Sequence, residues 1–181
     1  MTGAGLPDDA ARQAIDLSIA PVIASHSSCR VFTPDWERNV SDELIRLIAA
    51  SGGVVQVNFG SGFVNEEYHR KWLAQWDAFD QYVEEHAIDS DSDEAKAFRE
   101  RYREEHPIEL ADVGDVADHI DHIVNLVGVD HVGLGSDFDG LGDSLPRDLS
   151  DVSHYPNLIR ELLDRGYSEE EIAKICSGNI L

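Results

Sequence analysis

The residues best suited to chemistry follow short apolar runs in this sequence. Asp137 and Asp139 come just after the run Val132 to Leu134, and His26 follows a second run at 21–25. Continuous apolar runs of this length are typical of parallel strands that are covered on both faces. In barrels and open α/β sheets, ligands and reacting groups lie at the C-terminal ends of such strands. Two strand ends of this kind predict one shared site that contains imidazole and carboxylate groups.

His26 is the candidate metal ligand. Neutral imidazole is the commonest protein ligand for transition metals near neutral pH. The alternative is a histidine that forms hydrogen bonds within a loop, and the spacing alone leaves both interpretations open.

The two aspartates alternate around Phe138. If the backbone stays extended, their side chains point in opposite directions, so one faces the site and the other forms hydrogen bonds in the loop. A carboxylate beside a metal ion can act as a general acid or base. A turn at Asp139 and Gly140 explains the second aspartate nearly as well.

Arg38 follows the strand that carries His26, within Glu37-Arg38-Asn39. A guanidinium group can bind a substrate carboxylate through two parallel hydrogen bonds. From the residues alone, an ion pair at the surface is the more economical interpretation.

The other histidines are interpreted as surface residues. His119 and His122 lie three residues apart on a predicted amphipathic helix, and the adjacent Asp118 and Asp121 suggest local pairing at the surface. The remaining candidates lie among charged residues and are expected to be exposed; they are His69, His86, His106 and His154.

The pattern of apolar residues predicts the order α, β, α, β, a long helical stretch, α, β, α, α. The predicted strands are 21–25, 54–58 and 131–135, and the predicted helices cover 8–18, a segment capped by Ser41, 65–106 with a break at 89–93, 112–127, 155–165 and 168–176. Strands that alternate with helices imply parallel βαβ units. Three strands make a small sheet for 181 residues.

The composition excludes several classes of partner. Hydrophobic residues make up 42% of the chain, and 36 acidic residues against 14 Lys and Arg give a net charge of −22. A globular domain is expected, and nucleic acid is not expected as a partner. No apolar run approaches the roughly 18 residues of a transmembrane helix. Two distant cysteines, Cys29 and Cys176, suggest a reducing compartment, so we expect a cytoplasmic location.

Several ordered motifs resemble the membrane dipeptidase (renal dipeptidase) family. The resemblance covers nearly the whole chain. It is carried by PVIASHSSCR at 21–30, RNVSDEL at 38–44, VNF at 57–59, VADHIDHI at 116–123, GLGSDFDG at 133–140, DVSHYPNL at 151–158 and SGNIL at 177–181.

The resemblance implies a fold, a reaction and three residue roles. The fold is a metal-dependent-hydrolase TIM barrel, (β/α)8, of which this chain is the C-terminal half, with strands six to eight and a helical insertion at about 65–106. The implied reaction is the hydrolysis of dipeptides with two zinc ions. His26 matches a zinc ligand, Arg38 the residue that binds the substrate's C-terminal carboxylate, and Asp139 the aspartate that transfers protons. A homodimer is a further expectation.

The chain also departs from the family pattern. The family's His-x-Asp pair, bridging Glu and a further His belong upstream, and Ala4-Gly5 stands where a Ser-His is expected. A non-catalytic remnant or interaction module that has lost the metal site is therefore the main alternative. A related amidohydrolase-like enzyme, such as a deaminase, is a weaker one, because the Ser-Asp-Phe-Asp-Gly and Ser-His-Ser-Ser contexts oppose it.

Overall fold

The structure, a computed structural model, describes residues 8–181; Ala4 and Gly5 lie outside the described residues. Helices and strands follow the predicted order. The strands are β1 (Ile23–Ala24), β2 (Val54–Val57) and β3 (Val132–Leu134). The helices are α1 (Asp8–Leu17), α2 (Asp42–Ala50), α3 (Ser61–Val64), α4 (Glu66–His86), α5 (Asp93–Glu105), α6 (Val113–Val127), α7 (Tyr155–Asp164) and α8 (Glu169–Ala173).

The three strands form one parallel sheet in the order β1, β2, β3. Ala24 pairs with Val55, and Val55 with Val132 on its other side. All three strands are shorter than predicted. At the start of β1, Pro21 has no backbone N–H to donate to a strand ladder. At the end of β3, the backbone of Gly135 passes so close to Ser25 that a Cβ atom on residue 135 would overlap the carbonyl oxygen of Ser25. The predicted α/β class is confirmed, whereas closure into a barrel stays a prediction.

Helices α2 and α6 cover the sheet with their apolar faces. Ile45 on α2, Ile120 and Ile123 on α6, and Val55 and Val132 in the sheet are all buried in one core. Both helices begin where the sequence predicts. The hydroxyl of Ser41 accepts the N–H of Leu44, and Asp112 and Asp115 form a reciprocal capping box that satisfies free N–H groups at the start of α6.

The segment 65–106 folds as two helices, α4 and α5. α4 ends at His86 because the next residue, Ala87, adopts a left-handed conformation with φ of 50°. Ser92 caps α5. Tyr82 of α4 stacks on Phe98 of α5, with ring centroids 4.0 Å apart and planes within 7°. These aromatic side chains pack the two helices together. Whether the pair is an insertion into a barrel stays a prediction.

The C-terminal residues are tied to the sheet. α8 begins with a capping box formed by Ser168 and Glu171. The helix then changes to a π-helical turn, Lys174–Gly178, which the sequence did not indicate. The turn places Asn179 so that its amide donates to the carbonyls of Val129 and Val132, at 2.6 and 2.8 Å. These two bonds fix the start of β3.

A single arginine joins α6 to α7. The Arg165 guanidinium bonds to Asp118 and Asp121 at 2.7 and 2.6 Å, and to Glu161 at 2.8 Å. Asp121 also accepts the hydroxyl of Tyr167 at 2.7 Å. Asp118 and Asp121 therefore pair with Arg165 and Tyr167 after α7, and not with the neighbouring histidines as predicted.

Candidate active site

The C-terminal ends of the three parallel strands meet at one edge of the sheet. Beyond the ladder, the N–H of Ser27 bonds to the carbonyl of Gln56 at 2.9 Å, and the N–H of Phe59 to that of Ser136 at 3.4 Å. His26 and the segment 137–139 therefore lie at the same edge, as the sequence predicted. The alternation of strands and helices was sufficient to place them there.

His26 is half-buried just beyond β1. Its Nδ1 atom lies 2.8 Å from the hydroxyl of Ser25. This contact occupies Nδ1 and leaves Nε2 to bind a metal ion, and such a partner on the second ring nitrogen is usual for ligating histidines. Within residues 8–181, no group of three His, Cys, Asp or Glu side chains is arranged to hold an ion. The residues present therefore fit one position of a metal site and do not complete it.

Arg38 lies at the end of a segment that is fixed by buried hydrogen bonds. The backbone carbonyl of Arg38 accepts the hydroxyl of Ser27 at 2.8 Å. Its neighbour Asn39 is fully buried and donates to the hydroxyl of Thr33 and the carbonyl of Phe63, at 2.6 and 2.8 Å. The Arg38 guanidinium carbon is 5.4 Å from the centroid of the Phe63 ring. In the described part of the chain Arg38 forms no salt bridge, so the surface ion pair considered above is not observed.

The two aspartates occupy different environments, but not because of an extended backbone. Asp137 has a left-handed conformation with φ of 58°, and Phe138–Gly140 forms a 3-10 turn, so the assumed alternation is wrong. Asp137 is half-buried, and its carboxylate accepts the Asn58 amide at 3.1 Å. Asp139 is exposed in the turn that its Asp-Gly sequence indicated. Asn58 thus orients Asp137 at the strand end, and the role expected for Asp139 stays a prediction.

Two histidines that were expected at the surface, His119 and His69, are buried. His119 is fully buried, because it shares a face of α6 with Val116 and Ile123. Its Nδ1 accepts the backbone N–H of Cys29 at 2.8 Å, and its Nε2 lies 3.1 Å from the carbonyl of Val64. The amide can bond only to an unprotonated Nδ1, so the proton is on Nε2. Burial lowers the pKa of His119 to about 4.

Of the other histidines, some are buried or paired and some are exposed. His122 pairs with Asp42 of α2 at 2.7 Å and not with the aspartates next to it in sequence. His69 is buried, with Nδ1 2.9 Å from the carbonyl of Gly62. His86 and His106 are exposed, as predicted. His154 is half-buried, so the predicted exposure is wrong for His69 and only partly met by His154.

The comparison with protein families decides the classification. The model of the membrane dipeptidase family (peptidase family M19) matches residues 4–181. The chain belongs to this family. The resemblance carried by the sequence motifs is therefore confirmed.

Curated members of the dipeptidase family are longer than this chain. Dipeptidase aclJ of Aspergillus oryzae is 34% identical over 170 residues, which are 94% of this chain and 31% of that protein. Dipeptidase 3 of Homo sapiens is 33% identical over 174 residues, 96% of this chain and 27% of that protein. The chain thus spans about a third of the length of the curated relatives it matches.

Solved structures of dipeptidases and metallopeptidases share the fold. The probable dipeptidase PvdM from Pseudomonas aeruginosa superposes with a TM-score of 0.77 at 30% identity, covering 98% of this chain and 48% of that one. A metallo peptidase from Rhodobacter sphaeroides, solved with a phosphinate mimic of the dipeptide L-Ala-D-Ala, gives a TM-score of 0.71 at 26% identity, with 98% and 39% covered. The parallel sheet and its helices are therefore similar to those of solved dipeptidase and metallopeptidase structures.

The buried His119 predicts how the stability of this dipeptidase-family chain depends on pH. An unfolded chain takes up a proton near pH 6.5, whereas the folded chain does so only near pH 4. Stability from this group is therefore complete above pH 6.5 and is lost as the pH falls from 6.5 to 4. At about 1.4 kcal/mol per pKa unit, the loss approaches roughly 3 kcal/mol.

Urea unfolding of the wild type and of His119→Asn between pH 7.5 and 4 measures this loss. The Asn side chain keeps an acceptor for Cys29 but removes the buried ring, so the variant is less stable at pH 7. Because it has no titrating group at this position, its stability also depends less on pH. His86→Asn, at an exposed position, is the control and should follow the wild type. Equal pH dependence in all three proteins would contradict this account of His119.

Proposed function

We propose that this chain supplies the substrate-binding and proton-transfer part of a zinc-dependent dipeptidase site. One observation carries the proposal: His26 and Arg38, from the loop after β1, and Asp137, from the loop after β3, follow the C-terminal ends of one parallel sheet in a chain of the membrane dipeptidase family. A related metallo peptidase was solved with a mimic of a dipeptide, which supports dipeptides as the substrate class.

We infer that the sheet is part of a (β/α)8 barrel. Within the described residues, β1 and β3 each pair on one side only, with β2 between them. In a closed barrel both edges would pair with further strands. The longer relatives have the chain length to provide those strands. The metal ligands that this chain lacks would come from the same additional segments.

His26 would hold one of two zinc ions through Nε2. When bound, zinc polarises a carbonyl oxygen and lowers the pKa of a water molecule. The role of Ser25 is to keep the imidazole ring in one orientation, because its hydroxyl contacts Nδ1.

Arg38 would bind the carboxylate at the C-terminus of the dipeptide. Its backbone is fixed by the bonds of Ser27 and Asn39, and among residues 8–181 no carboxylate forms a salt bridge with its guanidinium. A guanidinium of this kind on a fixed backbone suits a ligand that carries its own carboxylate.

Asp137 is our candidate for the proton-transfer role that the resemblance gave to Asp139. Its carboxylate follows the end of β3 and is oriented by Asn58. A carboxylate held by a hydrogen bond near a metal-bound water can accept and return a proton. Asp139 remains the alternative for the same role, and the two can be separated by mutation.

A non-catalytic interaction module is the second candidate function. The observation that favours it is that no three metal-binding side chains converge among residues 8–181. The two proposals differ in whether His26 binds an ion when the barrel is complete.

Metal binding should therefore depend on the rest of the barrel. The 181-residue chain should bind zinc weakly, because a catalytic zinc needs about three protein ligands and His26 is one. In a complete barrel, which joins this chain to the segments of its longer relatives, His26→Ala should lower the zinc content. His122→Ala is the control, since that ring pairs with Asp42. A complete barrel that holds no zinc would favour the non-catalytic module.

Arg38→Lys should reduce activity on free dipeptides, because lysine cannot form two parallel hydrogen bonds with a carboxylate. A loss of roughly 1.5–3 kcal/mol corresponds to about ten- to a hundred-fold in kcat/KM. The same variant should lose much less on dipeptide amides, which lack the carboxylate. Equal losses on both substrates, measured in the complete barrel, would show that Arg38 is structural.

Asp137→Asn and Asp139→Asn form a matched pair. The first should lower kcat by about 10²–10⁴, the usual contribution of a positioned acid or base, and should keep the zinc. The second changes an exposed carboxylate two residues away and should alter kcat less than tenfold. A large loss in the Asp139 variant alone would restore the assignment that the resemblance implied.

A further inference from the structure

We propose that Phe63 is a positioning residue for Arg38: its ring holds the guanidinium in place and leaves the N–H groups of that guanidinium free for a carboxylate. The inference deepens the proposed function and rests on it, because it takes Arg38 as the residue that binds the carboxylate of the substrate. It gives a role to α3, the short helix Ser61–Val64 that carries Phe63.

Three residues of the loop that carries Arg38 converge on Phe63. The Arg38 guanidinium carbon lies over the Phe63 ring, 5.4 Å from its centroid. Trp36 meets the same ring edge-on, with ring centroids 5.9 Å apart. The side-chain amide of Asn39 donates to the backbone carbonyl of Phe63 at 2.8 Å. Phe63 therefore attaches this loop to α3 through both its ring and its backbone.

Phe63 is itself fixed by its surroundings. Its backbone N–H donates to the carbonyl of Gly60 at 2.7 Å, and a Cβ atom on residue 60 would lie 3.1 Å from Cδ2 of the Phe63 ring. Trp36, which meets the ring, in turn contacts His69 and Trp72 of α4, with ring centroids 4.9 and 5.8 Å away. Aromatic pairs prefer such tilted and edge-to-face contacts. The position of the ring is therefore set before a ligand binds.

The type of contact decides what the guanidinium can still do. A guanidinium over an aromatic ring is attracted by the face of the ring, and the contact uses no hydrogen bond. The N–H groups lie in the plane of the guanidinium and stay available. A carboxylate of the protein would instead occupy the same N–H groups that a ligand needs. Among residues 8–181 no such salt bridge forms, so the ring orients the Arg38 guanidinium without blocking it.

A second arginine–phenylalanine pair in the chain provides a matched comparison. Arg101 lies over the ring of Phe98, with 5.6 Å between the guanidinium carbon and the ring centroid. Both residues belong to α5, where the Phe98 ring stacks on Tyr82 of α4. Removing either phenylalanine ring removes one cation–π contact of similar length. Of the two rings, it is Phe63 that contacts the loop after β1.

The proposal is tested in the 181-residue chain by ¹⁵N NMR of the arginine Nε–H groups. In the wild type the Arg38 Nε–H should be ordered, and its resonance should be displaced by the Phe63 ring. Phe63→Leu removes the ring but keeps an apolar side chain, so the order parameter of this group should fall below about 0.6 and the displacement should vanish. Phe63→Tyr keeps the ring face and should retain both. Phe98→Leu, the control, should change Arg101 and leave Arg38 as in the wild type.

Carboxylate binding gives a second readout. Glycylglycine is titrated into each protein and followed at the Arg38 Nε–H resonance, with glycylglycinamide as the ligand that lacks the carboxylate. Loss of the cation–π contact should weaken glycylglycine binding by about two- to fivefold in Phe63→Leu. Phe63→Tyr and Phe98→Leu should bind as the wild type does. A purely structural role of Phe63 would lower the stability of the chain in urea without this selective loss.

Two results would overturn the inference: unchanged order of the Arg38 Nε–H in Phe63→Leu, or equal glycylglycine binding by that variant and the wild type, including no binding by either. If Phe63→Leu does not fold, Phe63→Met, whose flexible side chain also fills the space, is measured in its place. The proposed function fails separately. If Arg38 responds equally to glycylglycine and to its amide, Arg38 does not recognise a carboxylate, whereas the loss of order in Phe63→Leu would still show that the ring positions it.

Discussion

The structure depends on an irregular segment, residues 27–40, that packs against the ends of the strands and is buried at both of its own ends, 27–29 and 39–40. A buried loop must find a partner for each backbone N–H and carbonyl, and each failure costs about 1–3 kcal/mol. His119 and Asn39 meet this requirement from two sides: the first accepts a backbone N–H of the segment from α6, and the second accepts another from within it. Because His26 and Arg38 lie at or near the two ends of the segment, the positions of both follow from these buried bonds.

The same constraint joins the three strand ends into one unit. Asn58, which follows β2 and is fully buried, accepts the Ser28 hydroxyl with its backbone carbonyl and donates to Asp137 with its side chain. One residue therefore connects the loop after β1 to the loop after β3. A carboxylate held in this way loses little freedom when a ligand arrives, which is what preorganised sites require. Asn58 contributes to the site by positioning Asp137.

Much of this arrangement could be predicted from local patterns, and the failures share one cause. Apolar runs, caps such as Ser41 and the break near Ala87 depend on neighbouring residues, so the order of helices and strands could be derived from them. The burial of His119 could not, because its partners are 55 and 90 residues away. The left-handed conformation of Asp137 was also missed, although aspartate adopts this region more readily than most residues. Its bond to Asn58, 79 residues away, could not be read from the local sequence.

On the proposed function, the groups that would recognise a substrate and those that would hold a metal are divided along the polypeptide. Among residues 8–181 the strand ends offer one imidazole, whereas Arg38 and the oriented Asp137 lie in the loops that follow those ends. The contact between Trp72 of α4 and Trp36 joins the 65–106 segment to the loop that carries Arg38. A change in that segment would therefore act on the Arg38 loop, while the parallel strands and the bonds of Asn58 stay in place.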